Sequence, residues 1–440
     1  MCNLPKGWIH DKLRYIADVI MGQSPPSTTY NSHGEGLPFF QGKAEFGNFY
    51  PTPIKYCNRP QKIAATGDVL ISVRAPVGPT NLCKEQSCIG RGLAALRPKG
   101  NIISKYLLYY LRNIETRIAN LGTGSTFTAI SKSILEEIDI VFPPLTEQRR
   151  IVAKLEKLLA RVDACRERLN KIPALLKRFR QSVLATACSG RLTADWREAH
   201  IEVITDKDSE ISEYGLPEIP ETWRWVKLPN TGEMSRGKSR HRPRNAPFLF
   251  GGSYPFIQTG DIAQSGGRIT NHKQSYSKAG LDQSRLWPVN TVCITIAANI
   301  AASALLTYPA CFPDSVVGII TERSKCLPEF LEFFIRTAKS DLSTFAPATA
   351  QKNINIKILS DVLVPLPHLL EQQEIVRRVE ALFKIADQIE ARYQKAKVHV
   401  DRLTQSILAN AFRGDLVPQD PSDEPASALL ERIRQERKTR

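Results

Sequence analysis

The stretch "PPLTEQRRIVAKLE" at residues 143–156 decides the organisation of this chain, because it occurs a second time as "PHLLEQQEIVRRVE" at 367–380. "SVLATACSGRL" at 182–192 likewise returns as "SILANAFRGDL" at 406–416, with six of the eleven positions identical. Both pairs are separated by 224 residues. An internal repeat of this length indicates that the chain contains two copies of one structural module.

The repeated stretches open two long amphipathic helices. Apolar residues recur from Leu155 and again from Val379 at steps that alternate three and four, which is the heptad pattern of packed helices. Two matching seams favour an intramolecular coiled coil over two helices packed on separate cores. The linker between the copies is long enough for antiparallel pairing. We expect the helix–helix contact to be made by Leu155, Leu158, Val162, Leu169, Leu176, Val379, Leu382, Ile389, Val400 and Leu403.

Each helix follows a compact head. The heads are rich in short β-type runs broken by Gly, Pro, Asn and Ser, with short helical stretches between them, which is typical of an α+β domain. The predicted fold class is therefore two similar α+β heads joined by two long antiparallel helices, with pseudo-twofold symmetry. The expected boundaries are 1–142 for the first head, 143–192 for its helix, 193–218 for a linker, 219–366 for the second head, 367–417 for its helix and 418–440 for a charged C-terminal tail.

The charge of the chain indicates a polyanionic partner. The formal net charge is +16 at pH 7, which favours nucleic acid first and an anionic membrane surface second. The longest uncharged run, Leu286 to Pro313, contains prolines and asparagines, so it predicts two buried strands and no membrane span. The N-terminus lacks a secretory signal pattern, and the nine cysteines include no C-x-x-C pair. We therefore expect a cytoplasmic protein.

The first head carries a set of motifs that point to one family. They are "GQSPPSTTYN" (22–31), "GLPFFQGKAEF" (36–46), "VRAPVGPTNL" (73–82), "CIGRGLAAL" (88–96) and "GSTFTAISKSILEEI" (124–138). With these motifs and the paired helices, the chain resembles the specificity (S) subunit of Type I restriction–modification systems over essentially its whole length. The resemblance implies that the heads are target-recognition domains, each reading one half of a bipartite, asymmetric site in double-stranded DNA. It implies that the helices set the spacing between the half-sites.

The resemblance also implies partners and a division of labour. Two modification subunits would dock on the helices, bind S-adenosylmethionine and methylate adenine at N6. Restriction subunits, which are translocases and nucleases that use ATP and Mg²⁺, would join the complex. The S subunit itself would be non-catalytic and would bind none of these cofactors and no metal. The residues agree, since the nearest match to the adenine methyltransferase motif [ND]-P-P-[YFW] is "FPPL" at 142–145, with Phe142 where an amide or acid is required.

Loops of the first head supply candidate DNA contacts, although the same residue types also serve as ordinary turn and surface residues. Gln can pair bidentately with adenine, Lys can reach guanine or phosphate, and Arg is the commonest base-reading side chain. Small hydroxyls and a Lys at a helix start suit a phosphate. The candidates are Gln23, Ser24, Gln41, Lys43, Arg74, Arg91, Ser125, Thr126 and Lys132.

The second head offers a more strongly charged set. "RGKSRHRPR" at 236–244 places five positive charges in nine residues, which favours phosphate contact over a merely solvated loop. Two further stretches match the "QGK" and "STFTAI" segments of the first head. The candidates are Arg236, Lys238, Arg240, Arg242, Arg244, Gln258, Thr259, Gln351 and Lys352.

Two other functions compete with DNA recognition. "GEMSRGKS" at 232–239 matches the nucleotide-binding pattern G-x-x-x-x-G-K-[ST] and would suit a P-loop enzyme. The repeat, however, aligns Gly237 with Gly22, and the first copy has Ala17 where the second has Gly232. Pro243 and Pro247 also disfavour the helix that a phosphate loop requires. The other alternative is a coiled-coil scaffold whose heads do not read DNA.

Overall fold

The computed structural model describes residues 4–122, 129–204, 217–297, 300–338 and 356–438. It divides into two compact units, the first formed by residues 1–170 with 394–440 and the second by 171–393. Each unit therefore contains one head and a part of each long helix.

Both heads combine short helices with short strands. The helices are α1 (Leu13–Ile16), α2 (Ser104–Asn113), α3 (Glu115–Ala119), α4 (Lys132–Glu136), α5 (Leu145–Cys188), α6 (Ala194–Ala199), α7 (Ile201–Ile204), α8 (Thr259–Gln264), α9 (Lys278–Asp282), α10 (Pro328–Thr337), α11 (Ile356–Ser360), α12 (Leu369–Arg413) and α13 (Ala426–Lys438). Short 3₁₀ turns cover Ser27–Thr29, Lys43–Glu45, Arg191–Thr193, Leu228–Thr231 and Pro247–Leu249.

The strands are short, as expected of an α+β head. They are β1 (Ile9–Lys12), β2 (Ala17–Met21), β3 (Tyr30–Asn31), β4 (Leu37–Phe40), β5 (Lys55–Cys57), β6 (Ile63–Ala64), β7 (Val69–Ser72), β8 (Thr80–Leu82), β9 (Ser87–Ile89), β10 (Leu93–Pro98), β11 (Asp139–Phe142), β12 (Arg224–Lys227), β13 (Gly232–Arg236), β14 (Phe250–Phe256), β15 (Arg268–Ile269), β16 (Gln274–Tyr276), β17 (Val292–Thr295), β18 (Ser303–Leu306), β19 (Val316–Thr321) and β20 (Leu363–Leu366).

The first head is built on two sheets. One is antiparallel with the order β2-β10-β7-β8, and the other has the order β3-β5-β4-β9-β6, in which β4 and β9 run parallel. β1 pairs with β11, with Ile9 opposite Phe142, so the two ends of the head meet just before α5. α2 buries all of Tyr106–Leu111, because this helix is apolar on most of its circumference and lies in the core.

The second head repeats this plan. Its main sheet has the order β13-β19-β17-β18-β15, β14 pairs with β16, and β12 pairs with β20 as β1 pairs with β11. The uncharged run Leu286–Pro313 contains β17 and β18, which are buried along their whole length, so the prediction of two buried strands is confirmed. The α+β class and the duplication of the head are likewise confirmed.

The long helices run antiparallel within each unit. In the first unit Arg166 of α5 lies 3.6 Å from Asp401 of α12. In the second unit Arg180 lies 2.7 Å from Asp387 and 2.9 Å from Glu390. A later position on α5 thus meets an earlier position on α12 in the second unit, as the sequence predicts.

Most of the predicted seam is buried or half-buried. Ile389 is the exception, with 42% of its surface exposed, and Phe179 on α5 is 38% exposed. A side chain that is 42% exposed can still contact the facing helix, so the part of Ile389 in the helix–helix contact stays a prediction. The seam positions that are buried are Leu155, Val162, Leu176, Val379 and Val400, while Leu158, Leu169, Leu382 and Leu403 are half-buried.

The repeated Glu–Gln pair fastens α5 to the first head. Glu147 accepts a hydrogen bond from the Trp8 indole at 3.0 Å. Gln148 accepts one from the backbone of Ile103, just ahead of α2, and donates to the carbonyl of Pro143. All of these groups are buried or half-buried, so the start of the helix is held by buried hydrogen bonds.

The second unit repeats this connection with the equivalent residues. The Trp223 indole donates to Glu371 at 2.9 Å, and Gln372 accepts from the backbone of Leu327, ahead of α10. Gln372 also donates to the carbonyl of Pro367. The repeated stretch is therefore the element that joins each head to its helix.

The two glutamates differ in their second carboxylate oxygen. Glu371 Oε1 accepts hydrogen bonds from Thr193 at 2.8 Å and from Arg197 at 2.8 and 3.0 Å. Glu147 Oε1 is buried and has no hydrogen-bond partner among the described residues, and burial raises the pKa of this carboxyl. At the positions equivalent to Thr193 and Arg197, 224 residues later, stand Val417 and Pro421, which carry no donor.

The C-terminal segment, predicted only as a charged tail, forms α13 and packs on the first head. Leu429, Leu430 and Ile433 are buried in the core of that unit. Arg150 binds Asp423 at 2.6 Å, and Arg434 binds Asp11 at 2.8 Å.

Candidate nucleic-acid interface

Three predicted contact residues of the first head meet at one end of its sheets. The backbone of Gln23, just after β2, donates to the carbonyl of Ile89 at the end of β9. The backbone of Arg91 donates to Ser24 Oγ at 3.3 Å. The loops that follow two strands of different sheets are thereby joined, and Gln23 and Arg91 point outward from them as exposed side chains.

Glycine allows a third loop to approach this point. A Cβ on Gly92 would overlap the carbonyl oxygen of Gln41, so only glycine lets the segments after β4 and β9 lie this close. Gln41 is exposed, and Lys43 follows it in a 3₁₀ turn, also exposed. The structure therefore places Gln41 beside Ser24 and Arg91, as a common binding surface requires.

A fourth segment adds Arg74. The backbone of Val73 donates to the carbonyl of Gly92 at 2.9 Å, and Arg74 pairs with Ala129. Arg74 and Arg91 thus extend from adjoining loops, and the side chains of both are exposed. Ala129 leads into α4, whose first residue, Lys132, forms an exposed ion pair with Glu136 at 3.6 Å. Ser125 and Thr126 lie outside the described residues.

Two titratable groups beneath these loops are uncharged near neutral pH. Burial raises the pKa of Tyr30 and raises the pKa of the Cys88 thiol to about 12. Both groups therefore stay protonated near neutral pH, and no negative charge from them opposes an anion approaching Arg91.

In the second head, the segment 236–244, here called the basic loop, follows β13. The Ser284 hydroxyl donates to the carbonyl of Lys238 at 2.8 Å, and the backbone of His241 donates to the Gln283 side chain at 2.9 Å. These bonds fix the backbone of the basic loop. Arg236, Lys238 and Arg240 are exposed and form no ion pair with any residue that the structure describes.

The other two arginines of the basic loop are engaged within the protein. Arg242 donates to the carbonyl oxygens of Ser239, Arg240 and His241 and so braces its own loop. Arg244 binds Asp314 at 2.6 Å. Three of the five predicted cations are therefore free for an external anion, while Arg242 shapes the loop that presents them.

The nucleotide-binding alternative does not fit the backbone. Gly232–Arg236 is a strand, Gly237 to Ala246 is an irregular loop, and no helix begins at Lys238. A phosphate loop depends on the N-terminus of a helix that starts at this Lys. The motif is the second copy of the Gly22 loop, as the repeat predicts.

Of the remaining candidates of the second head, Gln258 is exposed and Thr259 is half-buried. Gln258 donates to Gln274 at 2.7 Å, and Thr259 begins α8. Gln351 and Lys352 lie outside the described residues.

One exposed residue beside the basic loop was missed by sequence reasoning. Phe248 is 57% exposed, although it lies in the apolar run "PFLF" (247–250), which is typical of a core segment. The segment is apolar throughout, so only the structure shows that Phe248 faces outward while Leu249 is buried.

Two broader absences concern only the part of the chain that the structure describes. No helix there is long and apolar enough to cross a membrane. No group of three or more His, Cys, Asp or Glu side chains there is arranged to hold a metal ion.

Two basic, loop-built surfaces on duplicated heads, each fastened to long helices, define a DNA-recognition protein. The sequence profile described as "Type I restriction modification DNA specificity domain" matches residues 5–174 and 220–398. The chain belongs to this family, and it is the DNA sequence-recognition subunit, non-catalytic, of a Type I restriction–modification complex.

Individual relatives agree along the whole chain. The EcoBI specificity subunit of Escherichia coli is 29% identical over 470 aligned positions, which cover 99% of this chain and 94% of the relative. The EcoDI specificity subunit of Escherichia coli is 34% identical over 360 positions, covering 76% and 77%.

Solved structures show the same fold. A chain from a type I R-M system, solved in work on complex assembly and conformational transition, aligns over 94% of this chain and 99% of its own length, with a TM-score of 0.71 and 20% identity. The HsdS subunit from Thermoanaerobacter tengcongensis aligns over 94% and 98%, with a TM-score of 0.61 and 21% identity.

Proposed function

We propose that the two heads read the two different halves of a bipartite, asymmetric site in double-stranded DNA. The observation that supports this most directly is that both heads present a loop surface at the same place in the repeat with different chemistry. The first head offers Gln23 where the second offers Lys238, and the basic loop adds Arg236 and Arg240. Different side chains at equivalent places favour different base sequences.

The chemistry of the first surface suits direct base reading. The amide of Gln41 can pair with the N6 and N7 edge of adenine, and a guanidinium such as Arg91 can bind O6 and N7 of guanine. The basic loop of the second head suits phosphates, because free ammonium and guanidinium groups release counterions from the DNA backbone. The two heads therefore bind DNA through equivalent loops. The surface of the first head is suited more to base reading, and the basic loop of the second head is suited more to contact with the DNA backbone.

The long helices are proposed to set the distance between half-sites and to dock two modification subunits. On this proposal those subunits bind S-adenosylmethionine and methylate adenine at N6, and restriction subunits that use ATP and Mg²⁺ complete the complex. This chain binds none of these cofactors. The complex acts on DNA in the cytoplasm.

The test is to co-express this chain with its modification subunit and to map methylated adenines in the host genome. We expect one split motif with a fixed gap. Replacing residues 1–142 by the first head of another specificity subunit should change one half of the motif, and replacing residues 219–366 should change the other. The matched control is an exchange of both heads together.

Three results would contradict the proposal. A change in both halves after a single exchange would mean that the heads do not act separately. Methylation that ignores the head exchanges would favour the scaffold alternative. Tight ATP binding by the isolated chain would favour the nucleotide enzyme.

A further inference from the structure

A large apolar side chain stands exposed at the edge of the basic loop. Phe248 is 57% exposed, and its ring meets His241 of the basic loop edge-on, with centroids 4.9 Å apart and planes at 80°. Leaving a Phe side chain in water forgoes the free energy of burial. An exposed aromatic ring among unpaired cations is unlike a solvated loop, and it resembles the mixed surface that nucleic-acid bases and phosphates require.

The backbone holds this ring outward. Phe248 is the central residue of the 3₁₀ turn Pro247–Leu249, in which the backbone of Leu249 donates to the carbonyl of Ala246 at 3.1 Å. The Ser277 hydroxyl donates to the carbonyl of Phe248 at 2.7 Å. Leu249 is only 1% exposed and anchors the turn in the core. The position of Phe248 is therefore set by its neighbours before any ligand binds.

The support beneath the turn is an aromatic cluster. Tyr276 is fully buried and stacks on Phe256, with centroids 4.1 Å apart and an angle of 25°. Phe250, which follows the turn, lies 5.1 Å from Tyr276 and 5.9 Å from Phe256. Packing of this kind makes the turn a stiff platform, so little conformational entropy is lost when a ligand contacts Phe248.

The first head presents a different group at the same place. Its 3₁₀ turn Ser27–Thr29 also follows the glycine loop and also leads into a strand, and the backbone of Thr29 donates to the carbonyl of Pro26 at 3.0 Å. Thr28 occupies the central position and is exposed. The heads thus share the turn and differ in the side chain that it displays, a hydroxyl in one and an aromatic ring in the other.

From this comparison, and resting on the proposed function, we propose that Phe248 packs against a base inside the half-site of the second head, while Lys238 of the basic loop contacts the DNA backbone. Phe248 is then a specificity-determining residue of the second head, and Thr28 takes its place in the first. Aromatic side chains pack on bases in many protein–nucleic acid complexes and unstack base steps when they insert.

The experiment compares Phe248→Ala with Phe248→Tyr in the complex of this chain with its modification subunit. The probes are a duplex that carries the motif found methylated in cells and a duplex of equal length with the second half-site scrambled. Phe248→Ala should weaken binding to the first duplex about 5- to 100-fold, leave binding to the second unchanged, and preserve the salt dependence. Phe248→Tyr keeps the ring and should stay within about threefold of the parent chain.

Lys238→Ala is the matched control on the same loop. It should weaken binding to both duplexes and reduce the slope of affinity against salt by about one. Melting temperature verifies that each variant is folded. The base contact would be disproved if Phe248→Ala bound the motif duplex as tightly as the parent chain or lost affinity equally on both duplexes. It would also be disproved if Phe248→Tyr lost as much affinity as Phe248→Ala. A parent complex that binds both duplexes alike would instead refute the proposed function, before any variant is measured.

Discussion

Replacing Glu371 by Gln should destabilise this protein far more than the same replacement of Glu147, although the two glutamates occupy equivalent positions of the repeat. Glu371 has no exposed side-chain surface, and Arg197, its partner, is only 13% exposed. Removing one charge of a buried pair leaves the other uncompensated, at a cost of about 3–5 kcal/mol. The amide nitrogen of Gln would also face Thr193 or Trp223, both of which donate to Glu371.

Glu147 stands in the opposite situation. Gln at this position still accepts the hydrogen bond from Trp8, and it removes a buried charge whose second oxygen has no partner among the described residues. The new amide group replaces one unpaired polar atom with another. The free energy of unfolding of Glu147→Gln should therefore stay within about 1 kcal/mol of that of the parent chain. The expected difference between the two variants is about 2–4 kcal/mol.

The assay must resolve the two units, because a single unfolding midpoint can blend them. Hydrogen exchange read by mass spectrometry on peptides from β12 and β20 reports the second unit, and peptides from β1 and β11 report the first. Glu371→Gln should accelerate exchange in the second unit, while Glu147→Gln leaves the first almost unchanged. Equal losses in both units would refute the idea that Arg197 distinguishes them.

The two glutamates also differ in their response to pH. Burial raises the pKa of Glu147 above its ordinary value, so the first unit is stabilised by protonation of this group and loses that contribution as pH rises through the raised pKa. Glu147→Gln should remove this dependence from the first unit.

Three further predictions follow from other parts of the structure. Leu155 is fully buried, whereas Ile389 is 42% exposed. Measured by urea unfolding, Leu155→Ala should lower the free energy of unfolding by about 2–5 kcal/mol, and Ile389→Ala should lower it by less than about 0.5 kcal/mol. Similar losses from the two variants would contradict the burial difference. Arg150 holds the pKa of Asp423 below its ordinary value. Docking of the C-terminal segment should therefore persist above about pH 3.9 and weaken as pH falls through the lowered pKa, which pepsin cleavage after residue 418 would report. Asp423→Asn should abolish this pH dependence. Deleting one heptad at equivalent places in both long helices shortens each helix by about 10 Å. The gap in the methylated motif should then shorten by about three base pairs, and neither half-site should change. An altered half-site would show that the helices do more than set the gap.

The duplication of the module could be predicted from sequence because its strongest signals are local. The Glu–Gln pairs and the seams recur at one separation, the strand runs recur in the same order, and periodicity assigns them to helices and strands. The reason for the Glu–Gln pair could not be predicted, since the partner of Glu147 is Trp8, 139 residues away.

The binding surfaces were predicted in outline and altered in detail. Loop position identified Gln23, Gln41 and Arg91 as candidate contacts, but the sequence did not show that their loops adjoin. Arg242 and Phe248 show the limit of composition, since one cation turns inward to its own loop and one apolar residue turns outward. Both outcomes depend on tertiary contacts that the charge and hydropathy of a segment do not encode.

The C-terminal helix on the first head bears on the order in which the protein can be made. The second unit is one continuous stretch, 171–393, and it can close as soon as the ribosome has released it, whereas the first needs residues 394–440. At about 5–20 residues per second, the 270 residues from 171 to 440 take roughly 14 to 54 seconds, and the head made first waits that long for its last helix. During that interval the apolar surface that receives Leu429 and Ile433 is uncovered, which exposes the nascent first head to aggregation.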